Sequence, residues 1–192
     1  VRSVYPDAEG LPLLQAGSFQ TDHASPLRER WGGWYVTGTH GVLRHMGNNW
    51  VRDIGHPDQL DMETGANVTR LQDRVNLSRY ARPDSDLVAH MVLEHQTKLH
   101  NLLTRANWET RIAIHQQEDM NRALGQPSPY WFDSTERRIR NQVEHLLKYL
   151  LFTDEVRLEA AVAGTSGFQD EFPKTGQRDR RGRSLRDLDL KT

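Results

Sequence analysis

The feature that most limits the fold of this chain is an unbroken run from Leu87 to Leu124 that contains neither proline nor glycine. Within it, apolar residues and one histidine recur at steps of four and three, which lines one face of a helix: Val88, Val92, His95, Leu99, Leu102 and Ala106. Asp84 or Ser85 is a natural N-cap, and Gly125 followed by Pro127 is a typical helix end. The pattern predicts one long amphipathic helix.

A second helix is predicted to begin near Asp133, where Asp133 and Glu136 form a capping-box-like pair. Its apolar stripe ends near Phe152 and consists of Ile139, Val143, Leu146, Leu147, Leu150 and Leu151. The connection between the two helices is short and contains Pro127 and Pro129. Short connections join antiparallel neighbours. The fold class predicted is therefore mainly α, with the long helix and the second helix as an antiparallel hairpin and with extended, irregular N-terminal and C-terminal arms. A further helical turn is predicted over 154–162.

The chain divides by composition into three parts. Residues 1–83 form an irregular segment rich in Gly, Trp and His, residues 84–162 form the helical hairpin core, and residues 163–192 form a charged, loop-rich tail. The first segment either wraps the helices or a cofactor, or is an arm that packs on a partner. The tail ends on an apolar-periodic start at Leu185, Leu188 and Leu190. That pattern, and a first residue that is not Met, indicate cuts through a longer polypeptide.

Composition excludes several classes of function. Lys and Arg number 25 against 26 Asp and Glu, so the basic field needed for general nucleic-acid binding is missing. No apolar run approaches the ~20 residues that span a bilayer. There is no cysteine, which excludes disulfides, Cys-ligated zinc and iron–sulfur centres within this chain. P-loop, dinucleotide-binding and G-x-S-x-G patterns are missing too, so no catalytic residue is assigned.

The nine histidines are the strongest sign of a site. His95 lies on the apolar stripe and is predicted to point into the core, either as a hydrogen-bonded residue or as an axial ligand of a haem iron. His90, His100 and His115 lie off the stripe and are expected at the surface or facing a partner. Histidines five residues apart on one helix do not point at one metal ion, so a zinc or copper site is disfavoured.

His40 and His45 follow a stretch of tryptophan, tyrosine and glycine. Glycines around a histidine let the backbone pass close to a planar ligand, and Trp34 and Tyr35 supply an apolar wall. Met46 is a candidate thioether ligand. These residues predict a cofactor contact within 34–48, and ordinary turn formation is the alternative. The basic cluster over 178–183 is predicted to be a solvated loop, with an anion-docking site as the alternative.

The segment from Thr21 to Asn48, T-D-H-x-S-P-L-x-x-R-W-G-G-W-Y-V-T-G-T-H-G-x-x-R-H-M-G-N, resembles a signature of uncharacterised secreted bacterial proteins of the cytochrome c type. The resemblance extends to D-L-V-x-x-M-V-x-E-H-Q (86–96), L-L-T-R-A-N-W-E-T-R (102–111), G-T-S-G-F (164–168) and G-R-S-L-R-D-L-D-L (182–190).

In that family a C-x-x-C-H haem-attachment motif is expected before the counterpart of Val1, so the attachment point of haem c would lie outside this chain. The resemblance implies a periplasmic or otherwise extracytoplasmic location. It also makes His40, His45 and His95 candidate iron ligands, with Trp34, Tyr35 and Arg44 as further cofactor-binding residues.

The function expected is therefore part of a periplasmic c-type haem protein for electron transfer or redox chemistry, which supplies a pocket wall and a distal haem ligand. Its partners would be a redox protein, other subunits of a larger assembly, or a second copy of the chain. The alternative is a non-catalytic structural or interaction subunit of a larger assembly without its own cofactor.

Overall fold

Two helices dominate the computed structural model, which describes residues 1–127 and 130–184. Helix α1 spans Leu87–Leu124 and helix α2 spans Asp133–Leu150. Gly125 follows α1 at φ +62°, the left-handed conformation that a helix end commonly requires. The mainly α fold class with a long helix and a second helix is confirmed. None of the described helices is long and apolar enough to cross a membrane.

The chain forms two compact units. Unit 1 contains residues 1–95 and 155–192, and unit 2 contains residues 96–154. The division falls within α1, after His95.

Unit 2 is the antiparallel hairpin. The Arg138 guanidinium of α2 donates to the carboxylate of Glu109 at 2.7 and 2.9 Å and to Oε1 of Gln116 at 2.8 Å. Near the connection, Gln117 Oε1 accepts from the backbone N–H of Phe132, and Asn121 Nδ2 donates to the carbonyl of Tyr130. Later residues of α1 therefore contact earlier residues of α2, as antiparallel neighbours must.

Apart from the first residues of α1, unit 1 is built from short elements. Strand β1 (Arg2–Val4) pairs antiparallel with β2 (Ser18–Gln20), and β3 (Gly38–Thr39) pairs antiparallel with β4 (Ala163–Gly164). A one-turn helix, α3, spans Phe168–Glu171. Single 3-10 turns lie at Leu14–Ala16, Leu27–Glu29, Leu77–Arg79 and Phe172–Lys174. The first eighty residues are thus ordered mostly without regular structure.

The apolar core of unit 1 gathers residues that are far apart in sequence. Leu27, Trp31, Val36 and Leu87 are its buried centre, and four partly buried side chains pack around them: Leu43, Met91, Leu158 and Val162. The β3–β4 pair lies close to this core because Gly38 has no side chain. A Cβ at Gly38 would lie 2.7 Å from the Ala163 carbonyl oxygen and 2.8 Å from Leu87 Cβ.

Three local predictions were wrong. The α1 cap is Asp86, whose carboxylate accepts from the N–H of Ala89 at 2.9 Å, and not Asp84 or Ser85. Asp133 lies inside α2 and makes no capping bond, because the chain enters the helix through Phe132. No helical turn forms over 154–162, which has no regular structure beyond a turn at 154 and a bend at 159–160. The predicted pattern of Leu185, Leu188 and Leu190, and Pro129 of the connection, lie outside the described residues.

Candidate functional site

Asn48 holds the segment that carries the predicted pocket wall. Its side chain brackets Val36: Oδ1 accepts from the Val36 N–H at 2.8 Å, and Nδ2 donates to the Val36 carbonyl at 2.7 Å. Nδ2 also donates to the carbonyl of Gly65, and the backbone N–H of Asn48 donates to the carbonyl of Trp34. Asn48 adopts φ +64°, which asparagine tolerates better than most residues. These bonds position Trp34 and Tyr35 while Val36 enters the core.

Two of the predicted ligands, His40 and His45, lie side by side in the interior of unit 1. Their ring centroids are 4.7 Å apart in an edge-to-face arrangement, and the indole of Trp31 packs against His45 at 5.3 Å. Each histidine is only 1% exposed. His40 Nε2 accepts from the backbone N–H of Asn67, and His45 Nδ1 accepts from the backbone N–H of Gly47, both at 3.1 Å.

Burial keeps these two rings neutral. Burial, together with the nearby rings of His40 and His90, lowers the pKa of His45 to about 3. Burial also lowers the pKa of His40. A neutral ring that accepts through one nitrogen carries its proton on the other, so the proton lies on Nδ1 of His40 and on Nε2 of His45. Among the described residues, Nδ1 of His40 is one of the few buried polar atoms without a hydrogen-bond partner.

The third predicted ligand, His95, pairs with His23. The two Nδ1 atoms are 2.8 Å apart, so one ring donates to the other, and the rings stack at a centroid distance of 5.0 Å. His95 is 4% exposed, as its place on the apolar stripe predicts. Burial, together with the neighbouring His23, lowers the pKa of His95 to about 4.

A buried ion pair lies at the position before His95 in the sequence. Arg30 Nη1 donates to Glu94 Oε2 at 3.1 Å, and both side chains are at most 2% exposed. Thr21 Oγ1 donates to the other carboxylate oxygen at 2.7 Å. The remaining guanidinium nitrogens of Arg30 donate to the carbonyls of His23 and Ser25. Burial raises the pKa of Glu94, and the Arg30 charge opposes that rise.

The structure separates the other predicted residues from the buried histidines. Trp34 and Tyr35 are about 40% exposed, at 39% and 42%. Arg44 forms a two-bond ion pair with Glu63 at 2.7 and 2.8 Å and donates to the carbonyls of Gly41 and Leu43. His90, which was expected at the surface or facing a partner, is half-buried against the rings of Trp31 and Trp34. His100 and His115 are exposed as predicted.

An open cleft of about 680 Å³ lies on the surface of unit 1. Three exposed aromatic side chains line it: Trp34, Tyr35 and Trp50. Its charged side chains are three carboxylates and one guanidinium: Asp7, Glu9, Asp73 and Arg74. Four separate stretches of the chain build the cleft. Trp34 and Tyr35, which were predicted to form a pocket wall, line this cleft. None of the three predicted iron ligands lines it: His40, His45 and His95.

The predicted iron ligands do not fit an axial role in this arrangement. A haem-ligating histidine binds through one ring nitrogen and donates an N–H from the other. His40 or His45 could bind iron through its protonated nitrogen only if that proton moved to the other nitrogen, which now accepts from a backbone N–H. The moved proton would then face the hydrogen of that donor. His95 is disfavoured by burial, because the side chain is only 4% exposed and protein covers it. Among the described residues, no group of three or more His, Asp or Glu side chains is arranged to hold a metal ion.

Three participants in these buried networks were not predicted as site residues: His23, Arg30 and Glu94. His23 lies 72 positions from His95, and Arg30 lies 64 positions from Glu94. One signal was present, because Glu94 directly precedes the buried His95 on α1, and a carboxylate there needs a cationic partner. The residues next to Glu94 in the sequence do not indicate that Arg30 is this cationic partner.

In comparisons with known proteins, no family model, curated protein or solved structure matches the chain.

Proposed function

We propose that this chain is a non-catalytic part of a larger periplasmic c-type haem protein for electron transfer or redox chemistry, and that it contributes no iron ligand. Membership of such a protein follows from the resemblance of Thr21–Asn48 and the later segments. The non-ligating role rests on the burial of His40, His45 and His95, which are at most 4% exposed. In His40 and His45, one ring nitrogen also accepts from a backbone N–H. The haem, when attached through flanking sequence, supplies one-electron chemistry.

The buried histidines then have a structural role in unit 1. His40 accepts the Asn67 N–H, and His45 accepts the Gly47 N–H, so each ring satisfies a backbone donor in a segment with little regular structure. A buried donor left without a partner costs about 1–3 kcal/mol. These rings therefore hold irregular loops in place, while Trp34 and Tyr35 remain at the surface as a wall.

The test uses the full-length natural protein with its flanking segments. Its absorption spectrum is recorded oxidised and then reduced with dithionite, and bound iron is quantified. We expect a Soret band and sharp α and β bands. The variants are His40→Gln, His45→Asn and His95→Asn, because a Gln oxygen replaces Nε2 and an Asn oxygen replaces Nδ1. His145→Gln, at an exposed position, is the matched control.

Each variant is checked for folding by circular dichroism and gel filtration. The proposal expects the low-spin bands of folded variants to be unchanged per haem. A change from low to high spin in one variant, with the control unaffected, would make that histidine a ligand. A featureless spectrum without bound iron would refute membership of a haem protein.

A second candidate, an interaction subunit without its own cofactor, is favoured by the surface of unit 2. Residues of α1 leave an open groove of about 730 Å³ in which Leu103 and Trp108 are 51% and 62% exposed. Both side chains line this groove, and large apolar side chains exposed together are typical of surfaces that bind other proteins. The featureless spectrum described above, together with a stable complex on purification, would support this candidate.

A further inference from the structure

We propose that the cleft of unit 1 is a binding site for a neutral saccharide. The cleft has the size of a small-molecule site, since ligand pockets commonly measure about 300–1,000 Å³. Its walls present the rings of Trp34, Tyr35 and Trp50 to solvent. Exposed aromatic rings with polar neighbours suit a ligand that has both C–H faces and hydrogen-bonding groups.

The cleft is preorganised by contacts behind its walls. Trp34 Nε1 donates to the carbonyl of Arg2 at 3.0 Å, and the Trp34 ring packs against His90 at 5.6 Å, so the indole is fixed. On the opposite stretch, the Asp7 carboxylate accepts from the N–H groups of Glu9 and Leu11, which holds the loop after β1. A wall that is rigid before binding loses little conformational entropy when a ligand binds.

The N–H of Val51 donates to the carbonyl of Pro6 at 2.8 Å. This bond joins the Trp50 stretch to the loop that carries Asp7. Arg74 is held from behind as well, because its Nη2 donates to the Thr64 carbonyl at 2.8 Å. The aromatic and charged groups are therefore presented by stretches that are linked to one another.

The charges of the cleft select the chemical class of the ligand. Three carboxylates against one guanidinium disfavour anions, including phosphates and the propionates of a haem. An organic cation would pair with the carboxylates but would leave the N–H groups of Arg74 without an acceptor. A hydroxyl group both donates and accepts, so it can donate to Asp7, Glu9 or Asp73 and accept from Arg74. Neutral polyhydroxylated rings satisfy both charge signs and place C–H groups on the aromatic faces.

The test is titration of the full chain with neutral hexasaccharides of β-linked glucose, α-linked glucose, xylose, mannose and N-acetylglucosamine, each to about 10 mM, which detects Kd values in the millimolar range. Calorimetry and tryptophan fluorescence are the readouts. We expect binding of at least one sugar. Trp50→Ala and Tyr35→Ala should weaken it by about tenfold or more, which corresponds to about 1.4 kcal/mol. Asp73→Asn should weaken it about threefold.

Trp131→Ala, at an exposed site in unit 2, is the control and should bind like the wild type. Circular dichroism confirms that each variant is folded. Absence of binding by all five sugars overturns the proposal. Unchanged affinity in both aromatic variants also overturns it, as does saturable binding of choline or haemin that none of the five sugars competes. The result does not depend on whether the parent protein carries haem.

Discussion

The buried ion pair between Arg30 and Glu94 allows the sharpest test of how unit 1 is held together. The side chains are 2% and 0% exposed and 3.1 Å apart. Glu94→Gln preserves size and an acceptor for Thr21 but leaves the Arg30 cation without its counter-charge. Removing one partner of a buried pair costs about 3–5 kcal/mol. Total stabilities are about 5–15 kcal/mol, so the loss is a large fraction.

Urea unfolding of the chain, followed by circular dichroism, measures this loss. With slopes of about 1–3 kcal/mol per molar urea, the midpoint should fall by about 2 M. The double variant Arg30→Met with Glu94→Leu is compared with the single variants Arg30→Met and Glu94→Leu. Its loss of stability should be smaller than the sum of those two losses by about 1–3 kcal/mol. It should not recover fully, because the carbonyls of His23 and Ser25 lose their donor.

The matched control is Glu63→Gln, which breaks the exposed pair with Arg44, where the carboxylate is 73% exposed. An exposed pair contributes at most about 1 kcal/mol. A loss below about 1 kcal/mol for Glu94→Gln, or strictly additive losses in the double variant, would refute the reasoning that the buried charges depend on each other.

Three further predictions concern acid, one glycine and the hairpin. His45 and His95 have pKa values of about 3 and about 4 in the folded chain, below the ordinary 6.5. As the pH falls below 6.5, these histidines take up protons in the unfolded chain before they do so in the folded chain. The stability that they contribute above pH 6.5 is therefore lost between pH 6.5 and their folded pKa values. Going from about pH 7.5 to about pH 5 should cost roughly 2 kcal/mol for each ring, partly offset by the raised pKa of Glu94; a flat urea midpoint over this range would contradict it. Gly38→Ala should lower the free energy of unfolding by more than about 1 kcal/mol, because φ is +151° and the new methyl group meets the β4 backbone. An unchanged melting temperature would show that β3 and β4 can move apart freely. Arg138→Ala should cost at most about 1 kcal/mol, since its ion pair lies near the surface, and a larger loss would make it a main support of the hairpin.

Features that depend on neighbours in the sequence were predictable. The span of α1 follows from a run without proline or glycine, and its end follows from Gly125. The burial of His95 follows from its place among Val92 and Leu99 on one helix face. Helical periodicity is a property of a few consecutive turns, and no distant contact is needed to read it.

The helix starts show where local reading fails. Asp84, Ser85 and Asp86 are all acceptable caps by residue type. Asp86 takes the role because its carboxylate is also fixed by the N–H and hydroxyl of Ser166, 80 positions away. Asp84 or Ser85 was predicted from the sequence, and the contact that favours Asp86 instead lies outside any local window.

The sequence by itself determined the mainly α class, the hairpin and the inward face of α1, because each depends on side chains that repeat along one helix or on a short connection. Only the tertiary structure decided that His95 pairs with His23, that His40 and His45 are held in tautomers set by backbone donors, and that Trp34, Tyr35 and Trp50 share a cleft. These arrangements join segments without regular structure. Such segments have no repeating geometry from which a partner can be inferred, so the burial and hydrogen-bonding demands of the whole unit select it.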